Sequence, residues 1–225
     1  MAVSGSPAAG PVNDRSITGS PVSPTTVPTL MGPSSAMEVP LVADPAPLGL
    51  AAFGLTTLVL STINAGWIAA AAIPVVLGLA IPYGGGAQVL AGMWAFRRGN
   101  TFAATAFTSF GAFWISYFLL VQYFLPQIKD AKALSAILGT YLIAWAIFTA
   151  YMFLASLGGT RAVQTVFILL AATFALLAIG AWSGSTTWTH IGGYVGLATA
   201  VAALYTSFAD VVNANFKRTI LPTDL

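Results

Sequence analysis

From Asp44 to Arg97 the chain runs through 52 residues without one formal charge. Three further charge-free stretches follow: 30 residues between Arg98 and Lys129, 28 between Lys132 and Arg161, and 48 between Arg161 and Asp210. A helix that crosses a bilayer needs about 20 apolar residues, each advancing about 1.5 Å through a hydrocarbon core of roughly 30 Å. The two middle stretches therefore hold one span each and the two outer ones hold two each. This predicts an all-α integral membrane protein with six transmembrane helices. Composition agrees, because only 6% of the residues are charged, against about 25% in soluble domains. So few ionic groups would leave a soluble exterior largely apolar and prone to aggregate.

Local signals place the helices at about 46–66, 73–96, 101–125, 133–156, 162–182 and 188–212. Pro82 and the Gly84-Gly85-Gly86 run fall inside the second, where a kink or break is expected. Neighbouring helices can re-satisfy such a backbone inside a membrane. Asp44 stands where an N-cap belongs, with Pro45 at the first helical position, where its missing N–H costs nothing. Arg97, Arg98, Arg161, Lys217 and Arg218 lie on the side of the termini, and Lys129 and Lys132 on the other. The excess of Lys and Arg marks the cytoplasmic side, so both termini are expected there, in a multi-pass protein of the plasma (inner) membrane.

Residues 1–43 are different material. They hold seven of the 13 prolines, among Ser, Thr, Gly and Ala. Such a segment cannot bury enough apolar surface to offset its ordering entropy. A disordered cytoplasmic tail is expected over 1–43 and a membrane domain over 44–225.

The chain also hints at internal repetition. Phe53-Gly54, Phe110-Gly111 and Leu170-Ala171 occupy matching places in the odd-numbered helices. Tyr83, Tyr141 and Tyr194 do so near the starts of the even-numbered ones. Spacings close to 57 residues suggest three two-helix repeats about an axis along the membrane normal, a known transporter construction.

Several chemistries are excluded. Without cysteine there is no thiolate nucleophile, disulfide or Cys-based metal site. Eight scattered cations make no phosphate-binding stripe, which excludes nucleic acid as a partner. His190 and Asp210 sit towards helix ends, and no paired carboxylates, HExxH or nucleophile elbow occur. An enzyme is not expected, nor any cofactor or bound metal. What the spans do offer is uncharged polar groups. Phe53, Thr56, Thr57, Leu60 and Asn64 share one helical face, and Thr105, Thr108, Ser109 and Ser116 make a similar stripe. Gln88 and Gln164 add amides. A route for a small polar solute needs such groups along its length, although interhelical hydrogen bonding uses the same residues.

The run Asp44-Pro45-Ala46-Pro47-Leu48-Gly49-Leu50-Ala51-Ala52-Phe53 resembles the signature of the acetate uptake transporter family, the succinate–acetate permeases of bacteria and their fungal relatives. Every defined position matches except the first, where Asp44 stands for Asn. The blocks Tyr83-Gly-Gly-Gly-Ala-Gln88-Val-Leu-Ala-Gly92 and Asn100 to Trp114, and the tail Asn215 to Pro222, are similar to the same family. The resemblance implies a six-helix protomer assembled into a homo-hexamer. It implies a pathway for acetate and sometimes succinate in each protomer. By position it also implies an apolar constriction made by Phe53, Phe110 and Leu170, with Phe110 in place of the Tyr of many relatives.

The function expected is a permease or channel for small monocarboxylates, acetate first, with the proton as a co-substrate. Thr56, Thr57, Asn64, Tyr83, Gln88, Thr108, Ser109 and Gln164 are the candidate lining residues. A pathway for another small solute such as ammonia, and a non-transporting membrane scaffold, are the alternatives.

Overall fold

The computed structural model describes residues 42–224. The segment 1–43, expected to be a disordered tail, lies outside the described residues except for its last two. Six helices are long and apolar enough to cross a membrane: α1 (Ala46–Asn64), α2 (Ala70–Arg97), α3 (Thr101–Gln127), α4 (Ala131–Ser156), α5 (Arg161–Ser183) and α6 (Thr186–Phe216). Their centres fall where the charge-free stretches place them.

The helix starts have local causes. Asp44 Oδ1 accepts the Ala46 N–H at 3.0 Å, and Pro45 already has helical backbone angles (φ −80°, ψ −12°). Pro45, expected at the first helical position, is instead the N-cap, its carbonyl accepting the Gly49 N–H at 3.1 Å, and Asp44 stands one residue before it, holding the first N–H of α1. Asn100 and Asp130 are the N-caps of α3 and α4, each accepting a backbone N–H at 2.9 Å.

Within α2 the expected break is absent. The helix passes through Ala80–Ala87 as a π-helical turn, which accommodates the N–H that Pro82 lacks by widening the ring of hydrogen bonds. Gly84 and Gly85 let that widened turn press against its neighbours. A Cβ on Gly84 would lie 2.8 Å from both Thr56 Oγ1 and the Trp114 ring. A second π-turn, Leu120–Phe124, ends α3 just before Pro126.

The helices form a ring in chain order. α1 packs on α6, α6 on α5 and α5 on α4, while α2 packs on both α1 and α3. Small residues permit the closest approaches. A methyl group on Gly193 of α6 would lie 2.2 Å from the Ala65 nitrogen at the end of α1, and one on Gly111 of α3 would lie 2.9 Å from the Gly85 carbonyl of α2. The seam between α3 and α4 is built from rings instead. Phe113 stacks with Tyr141 at 6.1 Å and meets Trp145 edge-on at 5.1 Å.

Polarity is arranged for a lipid solvent. Large apolar side chains such as Val75, Leu90, Ile147, Leu154, Val201 and Phe208 face outward. The buried hydroxyls of Thr56, Thr149, Thr199 and Thr206 donate to the carbonyl one turn back, at 2.7–2.9 Å. They satisfy themselves locally where no water is at hand. After α6 the chain reverses at Lys217 (φ +53°). The Asn213 amide holds that return by accepting from Ile220 N and donating to Leu221 O. Thr223 O and Asp224 Oδ1 then receive the first N–H groups of α5.

Candidate transport pathway

Phe53, Phe110 and Leu170 come from three different helices and meet at one level. Each is at most 4% exposed, and the Phe53 and Phe110 rings lie 5.8 Å apart. Phe110 is held from behind by Phe148 at 5.3 Å and Trp145 at 6.0 Å. Phe53 and Leu170 border two separate cavities, one on each side of this level. Phe110 borders the one that lies towards the start of α1 and the end of α6.

The cavity towards the start of α1 measures about 130 Å³ and is walled by Leu50, Phe107, Val166 and Phe167. Gln88 and Asp210 are among its few polar groups. Gln88 is 1% exposed, and its Oε1 has no hydrogen-bond partner among the described residues. The opposite cavity measures about 280 Å³ and is bordered by Thr57, Asn64, Trp114, Tyr141 and Thr173 among others. Thr57 Oγ1 and Trp114 Nε1 are buried without a partner among the described residues, as is Thr108 Oγ1 away from both cavities. Unpaired polar atoms at such depth are costly unless something can bond to them. Both cavities exceed the roughly 10–15 Å³ that one water needs, so each can take a solute of several heavy atoms.

The polar face of α1 is split by this geometry. Phe53, Thr57, Leu60, Ser61 and Asn64 border the larger cavity. Thr56 points away, bonds to Ala52 O and packs on Gly84. Four other candidate lining residues also stand apart from both cavities. Thr108 packs its hydroxyl against Gly92 of α2. Ser109 and Tyr83 are half-buried and border neither space. Gln164 donates to Gly159 O at 3.0 Å and closes the turn before α5. These residues share polarity with the route but face the wrong neighbour.

His190 is exposed and lies over Gly66, whose missing Cβ leaves room for the ring and whose backbone is left-handed (φ +78°). Trp114, Tyr141 and Thr173 border the larger cavity without having been singled out from the sequence as lining residues. The buried polar handle of an aromatic residue was the signal available for Trp114.

Asp44 lies in a wide vestibule of about 740 Å³ beside Pro47, Ser207 and Asn213. Asp210 borders both this vestibule and the smaller cavity. A vestibule, a narrow cavity, an apolar level and a wider cavity are thus arranged between the chain's two faces.

The succinate-acetate/proton symporter SatP of Escherichia coli K12 is 43% identical over 181 residues, 80% of this chain and 94% of that protein. A solved structure of the bacterial acetate channel SatP superposes with a TM-score of 0.75 at 42% identity, covering 81% of this chain and 99% of that one. Ammonia transport outward protein 2 of Saccharomyces cerevisiae is 40% identical over 173 residues, 75% of this chain and 61% of that protein. With residues 28–223 matched to its pattern, the chain belongs to the GPR1/FUN34/yaaH family.

Proposed function

We propose that the chain is a membrane permease or channel for small monocarboxylates, acetate first and succinate where size permits, and that it moves a proton with them. One observation carries this: Phe53 and Leu170 border two cavities, and uncharged polar residues, Gln88 and Asn100 in one and Thr57, Asn64 and Thr173 in the other, border each. A scaffold has no use for such an arrangement. The names of the similar symporter and channel point the same way.

The apolar level constrains the form of the solute. Moving a dry carboxylate past it would cost up to ~20 kcal/mol by an idealised Born estimate. Protonating the acid first, with a pKa near 4.3, costs only about 3.7 kcal/mol at pH 7. In this reading the acid crosses neutral and transport carries little net charge.

In the same reading the protein sits in the plasma membrane with both termini cytoplasmic, as five Lys/Arg against two imply. Residues 44–225 form the transport domain, three helix pairs contribute one constriction residue each, and six protomers assemble. The likeness to an ammonia exporter favours a second solute, neutral ammonia, which the apolar level would pass for the same reason.

Uptake of labelled acetate into proteoliposomes tests the proposal. Acetate uptake that competes with succinate and rises as external pH falls is expected. Liposomes with the protein no faster than empty ones would overturn it, and ammonium flux without acetate flux would favour the second solute.

A further inference from the structure

Asp210 occupies a singular place. It is partly buried, borders the outer vestibule and also borders the small cavity beneath Phe53, Phe110 and Leu170. One turn earlier Ser207 donates to Pro47 O at 2.6 Å, pinning this part of α6 against the start of α1. The other charged group bordering either space is Asp44, from the start of α1. α5 presents Val163, Val166, Phe167 and Leu170 to the small cavity, and its Arg161 borders a different, lateral pocket beside Tyr205. On α6 itself His190 lies near the other end, and Lys217 and Arg218 follow the helix. Arg98, at the end of α2, donates to Val42 O, two residues before Asp44, but among the described residues bordering these two spaces an anion meets two carboxylates and no cation.

The second observation is Gln88. The residue borders the same cavity as Asp210, and its Oε1 is buried with no hydrogen-bond partner among the described residues. An amide both donates and accepts. A neutral carboxylic acid can answer both functions, whereas an ionised carboxylate brings acceptors alone.

We propose that Asp210 is the specificity-determining residue of this mouth, barring the ionised substrate and admitting the protonated acid. The inference rests on the transport reading above. The Asp210 carboxylate accepts the O–H of RCOOH at the rim of the cavity. The acid then moves inward past Gln88 with that O–H intact. No covalent bond changes, and each carboxyl group carries its own proton past the apolar level. A second carboxylate beside Asp210 in so small and apolar a space would meet like-charge repulsion without solvent to screen it.

The experiment uses the full chain in proteoliposomes, with labelled acetate supplied to the Asp210 side. For the natural protein the half-saturation in total acetate should rise roughly tenfold per pH unit above the acid's own pKa, because only the neutral form enters. Asp210→Asn should flatten that slope to about threefold or less and add an acetate-dependent current in voltage-clamped bilayers. Asp210→Glu should restore both the slope and the absence of current, a rescue that a merely structural role would not show. An Asp210→Asn protein with natural slope and no current overturns the inference.

If Asp210→Asn does not insert, infrared spectra of the natural protein with carbon-13 acetate decide. At about two pH units above an ordinary carboxyl pKa, the bound label should show the band of a neutral acid. Carboxylate bands alone would overturn the inference. A natural protein that moves no acetate at all would instead sink the transport reading.

Discussion

The hydroxyls of Ser116 and Tyr141 lie 2.7 Å apart and tie α3 to α4 across a seam otherwise filled by aromatic rings. The bond borders the larger cavity through Tyr141. Tyr141→Phe keeps the ring stack on Phe113 and removes the bond. Such interhelical bonds contribute about 0.6–2 kcal/mol in membrane proteins. Thermal unfolding in detergent should show a loss of that size, and Ser116→Ala combined with it should add little more. Full additivity would mean that the two hydroxyls do not interact.

Two glycines should behave in opposite ways. Gly193→Leu places side-chain atoms where the Ala65 backbone already stands, so α1 and α6 must part, and protein recovered from membranes should fall steeply. Gly78→Ala meets nothing within 4 Å and removes a flexible residue from a helix, a change of about 0.5–1 kcal/mol in favour of folding. Expression and melting temperature of the pair check this. Equal damage from both would contradict the packing described for α1 and α6.

Adjacent threonines separate lining from packing. Thr57→Val removes a buried hydroxyl, unpartnered among the described residues, from a residue that borders the larger cavity, and should cut acetate uptake while leaving the oligomer intact. Thr56→Val removes one already bonded to Ala52 O, away from both cavities, and should leave uptake near its natural rate. Uptake of the two variants at matched protein content is the measurement. The reverse order would reassign the pathway face of α1.

Leu170→Ala enlarges the level at which the two cavities approach each other. Larger acids such as lactate should then enter, with acetate uptake maintained or raised. A substrate range unchanged by the substitution would move the size limit away from Leu170.

Asp44 both holds the first N–H of α1 and faces the vestibule. Asp44→Asn keeps an oxygen to accept the Ala46 N–H, so folding should be preserved, with a cap change of at most about 0.3–1 kcal/mol. Because Asp210 still bars the ion and only the neutral acid enters, the half-saturation for acetate offered from that side should stay near its natural value. A clear fall in well-folded protein would show that the ion itself enters and that Asp44 repels it.

Span number and helix centres were legible in the chain because charge is excluded from hydrocarbon wherever it occurs, a rule that needs no neighbour. The starts of α1, α3 and α4 were legible for a similar reason: Asp44, Asn100 and Asp130 act on N–H groups two or three residues away. Phe53, Phe110 and Leu170 could be nominated by repeat spacing and family likeness, while the cavities that they border exist only once three helices meet. Pro82 announced a disturbance, yet whether α2 broke or widened into a π-turn depended on Thr56 and Trp114 packing against Gly84. Thr56 and Thr57 are equally polar and differ by 100° of helix rotation, which sequence periodicity cannot assign to a cavity or to a neighbouring helix. The double exposure of Asp210, to vestibule and inner cavity, likewise arises from where α6 lies against α1. Composition and short-range hydrogen bonding act within one helix, whereas lining a pathway is a relation among several, and only their packing decides it.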